Sequence, residues 1–124
     1  ERLCQTAVSG NQLFNHTWNM ARRWWGKVPV YEEGRKTPIG FEELEFDVVA
    51  EAVDDKDTIL VGECKWKSAD YADRLLLKLK AKTQKAPFAQ GKNIIYVLFL
   101  KEPPLSEADC HILFPEEVLK YQPE

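Results

Sequence analysis

Apolar and polar positions along this chain fall into segments with distinct periods. Leu44–Val53 (LEFDVVAEAV) and Thr58–Trp66 (TILVGECKW) are rich in β-branched residues, with the polar cluster Asp54-Asp55-Lys56-Asp57 between them. Two strand-like runs joined by such a turn predict an antiparallel hairpin. Ala72, Leu75, Leu76, Leu79 and Thr83 then recur at three- and four-residue spacing, which predicts a helix burying one stripe. Ser68 is its expected N-cap. Asp70 and Asp73 lie near its start, where carboxylates meet the positive end of the helix dipole. Pro87 and Gly91 close it. Asn93–Leu100 (NIIYVLFL) is almost continuously apolar, the pattern of a central strand covered on both faces. Pro103-Pro104 ends that strand. A capped turn at Ser106, an edge strand over Cys110–Phe114 (CHILF) and a short Pro-led helix at Glu116–Tyr121 are expected to follow.

The N-terminal third is less regular. Leu3, Ala7, Phe14, Trp18, Ala21 and Trp25 fit a helical period, but Ser9-Gly10-Asn11 breaks it. Residues 1–9 are therefore expected to form a helix and Ala21–Trp25 (ARRWW) an aromatic strand. Residues 26–43, carrying Gly26, Pro29, Gly34, Pro38 and Gly40, read as a mobile loop or one ordered by a partner. The predicted order is α-β-β-β-α-β in a single α/β domain spanning 1–124, a mixed sheet flanked by helices with an extra edge strand.

Composition narrows the function classes. The 124 residues carry a net charge of −3, and the pI is about 5.5. That balance argues against tight autonomous DNA binding, which rests on phosphate neutralisation. No run of apolar residues is long enough for a transmembrane helix. Cys4, Cys64 and Cys110 are odd in number and far apart, with no zinc-ligand spacing. They read as reduced thiols of a cytoplasmic protein, and Asn15-His16-Thr17 as a chance sequon. The opening Glu1-Arg2-Leu3-Cys4 is neither an initiator methionine nor a signal peptide and reads as mid-helix, so the chain is expected to be an excised C-terminal fragment of something longer. His16 and His111 are isolated, so nucleophilic catalysis has no support. No G-x-x-x-x-G-K-[ST] motif occurs, which excludes ATP binding through a P-loop.

The chemistry-bearing positions lie on the hairpin. Strand alternation places Asp47, Val49, Glu51 and Val53 on one face, and Glu63 and Lys65 with Val61 and Ile59 on one face of the second strand. A turn centred near residue 55 sets Asp47 across from Glu63, where cross-strand Cβ atoms lie about 4.5–5.5 Å apart. Two carboxylates that close repel unless a cation or proton sits between them. Lys65 points to the same side, toward a water or a phosphate.

Asp47 followed sixteen residues later by Glu63-Cys64-Lys65 resembles the PD-(D/E)XK nuclease superfamily. Arg23-Trp24-Trp25-Gly26, Glu45-Phe46-Asp47-Val48-Val49-Ala50 and Gly62-Glu63-Cys64-Lys65-Trp66 are together similar to a C-terminal domain of unknown function on archaeal-type P-loop ATPases. The likeness runs from Glu1 to Leu100. It implies a restriction-endonuclease-like core and a metal-dependent DNA phosphodiesterase joined to an N-terminal P-loop ATPase. By the same resemblance Asp47 and Glu63 are ligands of Mg²⁺ or Mn²⁺, and the Cys64 carbonyl and Glu1 are further ligands. Lys65 is the residue that orients or deprotonates the attacking water. Phe46 stands where many relatives carry proline.

Each of these signals has a plainer alternative. Asp47, Glu63 and Lys65 can be a salt-bridged strand surface. The helical stripe Arg74, Lys78, Lys82 and Lys85 is either a phosphate-facing ridge or a solvated face. Trp18, Trp24, Trp25 and Trp66 are expected in the core rather than as base-stacking platforms. The alternative to an enzyme is a catalytically silent nuclease-fold module that binds nucleic acid or protein and regulates its parent ATPase. A third is a domain that mediates oligomerisation.

Overall fold

The computed structural model describes residues 2–66 and 70–122. Chain order is α1 (Arg2–Val8), β1 (Gln12–Leu13), β2 (His16–Thr17), β3 (Arg22–Val30), β4 (Gly40–Glu51), β5 (Thr58–Lys65), α2 (Ala72–Lys85), β6 (Asn93–Leu100), β7 (His111–Leu113) and α3 (Pro115–Lys120). The class is α/β. A five-stranded mixed sheet runs β3-β4-β5-β6-β7, antiparallel through β5 and parallel from β5 to β7. The small β1–β2 ribbon stands apart from it.

Two apolar layers cover the sheet. Cys4, Ala7 and Val8 of α1 and Val118 of α3 pack on Val48, Ala50, Leu60, Val97 and Phe99. On the other face Leu75 and Leu79 of α2 meet Leu44, Phe46, Val49, Val61 and Leu98. The five positions of the helical stripe, Ala72, Leu75, Leu76, Leu79 and Thr83, are all buried. Each buried leucine contributes about 1.5–3 kcal/mol relative to exposure, far more than helix propensity supplies. β6 has the expected limits and is buried on both faces in its second half. The expected edge strand is β7.

Two expectations need correction. Residues 26–43 are not a loop. β3 continues to Val30 and β4 begins at Gly40, paired from Trp24↔Phe46 to Val30↔Gly40, so only 31–39 lie outside strands. Pro29 is tolerated because β3 is an edge strand, where a missing N–H breaks no ladder bond. Gly26 is required for packing: a Cβ there would come within 2.6 Å of the Trp24 ring, which lies over it. Strand alternation also fails in β4. Leu44, Phe46 and Val49 all face α2, whereas Val48, Ala50 and Ala52 face α1. Between Arg22↔Val49 and Trp24↔Phe46, two steps on β3 match three on β4. This is a β-bulge at Asp47–Val48, so Asp47 does not share the face of Val49. α2 begins at Ala72 with Tyr71 at its cap and no side-chain cap bond. The expected N-cap, Ser68, lies outside the described residues, as do Glu1 and Lys67.

Candidate functional site

The bulge opens a fork in the sheet. β4 and β5 pair only from Glu51↔Ile59 to Val48↔Gly62. Beyond that pair the first half of β4 stays with β3, while Glu63, Cys64 and Lys65 stay with Leu98, Phe99 and Leu100 of β6. Asp47 stands at the branch point. Its Oδ2 accepts the Cys64 N–H at 2.9 Å, a charge-assisted bond that replaces the missing strand pairing. Its carbonyl, which the bulge removes from the ladder, accepts the side-chain N–H of Gln5 on α1 at 3.0 Å.

Backbone groups of successive strand residues point to opposite sides. The Lys65 carbonyl accepts the Lys101 N–H on the β6 side at 3.4 Å. The Cys64 carbonyl therefore faces the β4 side, into the fork beside the Asp47 carboxylate. The Cys64 thiol turns instead toward α1. Its pKa is raised well above that of an ordinary thiol, first by a hydrogen bond with Cys4 and then by burial. It stays protonated at neutral pH. Cys64 and Cys110 form no disulfide among the described residues.

Glu63 and Lys65 occupy the α2 side of β5. Glu63 Oε1 lies 3.6 Å from Lys82 Nζ, with both side chains mostly buried. Lys82 also donates to the Glu45 carbonyl at 2.8 Å and sits 5.0 Å from the Phe46 ring centre. Lys65 is exposed and enters no ion pair among the described residues. At the end of β5, the buried Trp66 indole N–H has no hydrogen-bond partner among the described residues.

The structure thus brings the Asp47 carboxylate and the Cys64 backbone into direct contact, while Glu63, the residue before Cys64, has its carboxylate held by Lys82 on the α2 side. Among the described residues no three His, Cys, Asp or Glu groups are arranged to share a metal ion. No family model, curated protein or solved structure matches this chain. The site is therefore read from its own geometry.

The helical stripe divides. Lys82 faces the fork, Lys85 pairs with Glu42 at 2.8 Å, and Arg74 stacks over the Tyr71 ring at 4.3 Å. Lys78 is exposed and makes no ion pair among the described residues. Two residues in the site were not anticipated. Gln5 carried no signal in the sequence. Lys82 was visible as a cation, but not as a partner of Glu63. Of the four tryptophans, Trp18 is fully buried and Trp24 and Trp66 pack on the core, while Trp25 is 55% exposed.

Proposed function

We propose that this chain is a metal-dependent DNA phosphodiesterase module with a restriction-endonuclease-like core, belonging to the PD-(D/E)XK type and attached in its parent to a P-loop ATPase. The observation that carries this reading is the fork, where β4 leaves β5 at a bulge and the Asp47 carboxylate meets the Cys64 backbone, next in sequence to Glu63. The order helix, three antiparallel strands, helix and parallel strand agrees with it.

The donor set fits a hard divalent cation. It comprises the second carboxylate oxygen of Asp47, the carbonyl of Cys64 and the carboxylate of Glu63, all oxygens of the kind Mg²⁺ and Mn²⁺ prefer. Glu63 must exchange Lys82 for the metal, and Glu1 is proposed as a further ligand. A bound cation supplies a water of lowered pKa and stabilises charge on the phosphate oxygens. The Cys64 N–H fixes the orientation of Asp47, Gln5 holds the bulge in place, and the exposed Lys65 ammonium is available to a phosphate or a water. Arg74 and Lys78, with Lys82 once released, offer positive charge to the DNA backbone.

Calorimetric titration with Mn²⁺ and Mg²⁺ tests the site, and Asp47→Asn must abolish the binding. Nicking of plasmid DNA in Mg²⁺ tests the activity. Nicking that survives undiminished in Lys65→Ala would remove the proposed mechanism.

A second reading is favoured by the Lys82–Glu63 contact. An ammonium beside Glu63 is a cation supplied by the chain itself, as expected of a silent nuclease-fold module. Absence of any metal-binding heat at millimolar Mn²⁺ would select this reading.

A further inference from the structure

The β3–β4 arm extends beyond the fork and presents an uncovered face. Trp24, Val28, Leu44 and Phe46 turn toward α2. The opposite face carries Arg23, Trp25, Lys27 and Pro29 from β3, and Phe41, Glu43 and Glu45 from β4. In register these are Trp25↔Glu45, Lys27↔Glu43 and Pro29↔Phe41. Trp25 is 55% exposed and Phe41 68% exposed. Isolated surface aromatics need no explanation, but two on one strand face, beside a candidate site, mark a binding surface.

Strand addition by a second copy is disfavoured. β3 is an edge strand carrying Lys27 and Pro29, two devices that discourage edge-to-edge pairing. The charge on β3 points to another occupant. Arg22, Arg23 and Lys27 are all exposed, and residues 22–30 contain no acid. The nearest acid of the next strand, Glu45, is already neutralised by Arg23 Nη2 at 2.6 Å, and Glu43 lies opposite Lys27. A polyanion with flat apolar faces matches this row: phosphates along Arg22 and Lys27, which enter no ion pair among the described residues, and bases stacked on Trp25 and Phe41.

We propose that the β3–β4 arm is a platform for an unpaired nucleic-acid strand, with Trp25 as its principal stacking residue. Four strand steps lead from Trp25 to Pro29, the partner of Phe41, so the two aromatics stand about 13 Å apart along the strand, room for a few stacked bases. In the other direction Glu45, the partner of Trp25, lies two residues from Asp47, about 7 Å. A base seated on Trp25 leads the strand into the fork. This deepens the phosphodiesterase reading by naming its substrate as single-stranded, and it rests on that reading only for what happens to the strand after binding.

The test is fluorescence anisotropy of the intact chain with a labelled oligothymidylate of about twelve nucleotides, against a duplex of equal length, in EDTA at low salt. Single strand is expected to bind more tightly than duplex, with affinity falling steeply as salt rises. Trp25→Ala is expected to weaken binding about tenfold or more and Trp25→Phe only slightly, with melting temperatures unchanged because the side chain is exposed. Lys27→Glu should weaken binding and flatten its salt dependence. Wild-type affinity in Trp25→Ala, equal affinity for duplex, or no binding to either probe would overturn the platform. Strand binding without cleavage in Mg²⁺ retains the platform and removes the phosphodiesterase reading. Cleavage with Trp25→Ala unimpaired does the reverse.

Discussion

Lys82 Nζ lies 3.6 Å from Glu63 Oε1, on the side of the sheet where Glu63 would otherwise meet a metal ion. Both side chains are mostly buried, so the attraction is less screened than in a surface pair. The divalent ion proposed above would compete with this ammonium for one carboxylate. Lys82→Met, which keeps the stem over Phe46 but removes the charge, is expected to tighten Mn²⁺ binding about tenfold. Calorimetry checks this. Unchanged affinity would mean that Glu63 is not a ligand.

Gly62 occupies the last paired position before the fork. A Cβ there would come within 2.7 Å of the Phe99 ring and 3.3 Å of Val48 Cβ, and both side chains are fully buried. Gly62→Ala should therefore lower unfolding free energy by about 1–3 kcal/mol through overpacking, measured by urea denaturation.

Trp66 buries an indole N–H without a partner among the described residues. An unmet buried donor costs about 1–3 kcal/mol. Trp66→Phe removes the donor and loses some packing, so stability should hold within about 1 kcal/mol or rise. Loss well beyond that, in the same urea assay, would show that the N–H is satisfied in solution.

Asp73 and Ser106 share a short hydrogen bond that ties α2 to the segment after β6. The hydroxyl is the main cause of an Asp73 pKa below its ordinary 3.8. A carboxylate depressed in the folded state adds stability at neutral pH and loses it as pH falls through the folded value. The melting-temperature gap between wild type and Ser106→Ala should be constant near pH 7 and close progressively below about pH 4. A gap that persists in acid would dissociate the bond from the ionised form.

Segments whose period was unambiguous were legible before folding. Asn93–Leu100 reads as a buried strand because nothing polar interrupts it, and the α2 stripe because its spacing allows one buried face. The β3–β4 arm was hidden by Gly26, Pro29 and Gly40, residues that signal loops locally. Here they serve an indole packed over one of them and an edge that needs no donor. In the candidate site, the sixteen-residue spacing predicted Asp47 across from Glu63, and the contact that forms is with the neighbouring Cys64 N–H. The bulge was not visible, because an extra strand residue is imposed by the partner strand. Nor was Lys82 beside Glu63, since the docking angle of a helix on a sheet leaves no mark in residue spacing. Trp25 looked like the other three tryptophans, which lie in or against the core, until the arm emerged as a strand.

The extra residue at Asp47–Val48 is a dislocation with two effects at once. Removing it would free no space. It would shift the outer part of β4 by half a pleat, turning Leu44 and Phe46 to solvent and Glu43 and Glu45 inward against α2. The defect that gives the carboxylate its unusual position also keeps both halves of the strand in phase with their apolar layers. A variant that repairs the ladder by deleting Val48 would turn one apolar layer outward together with undoing the fork, so the position of this carboxylate is tied to the packing of α2.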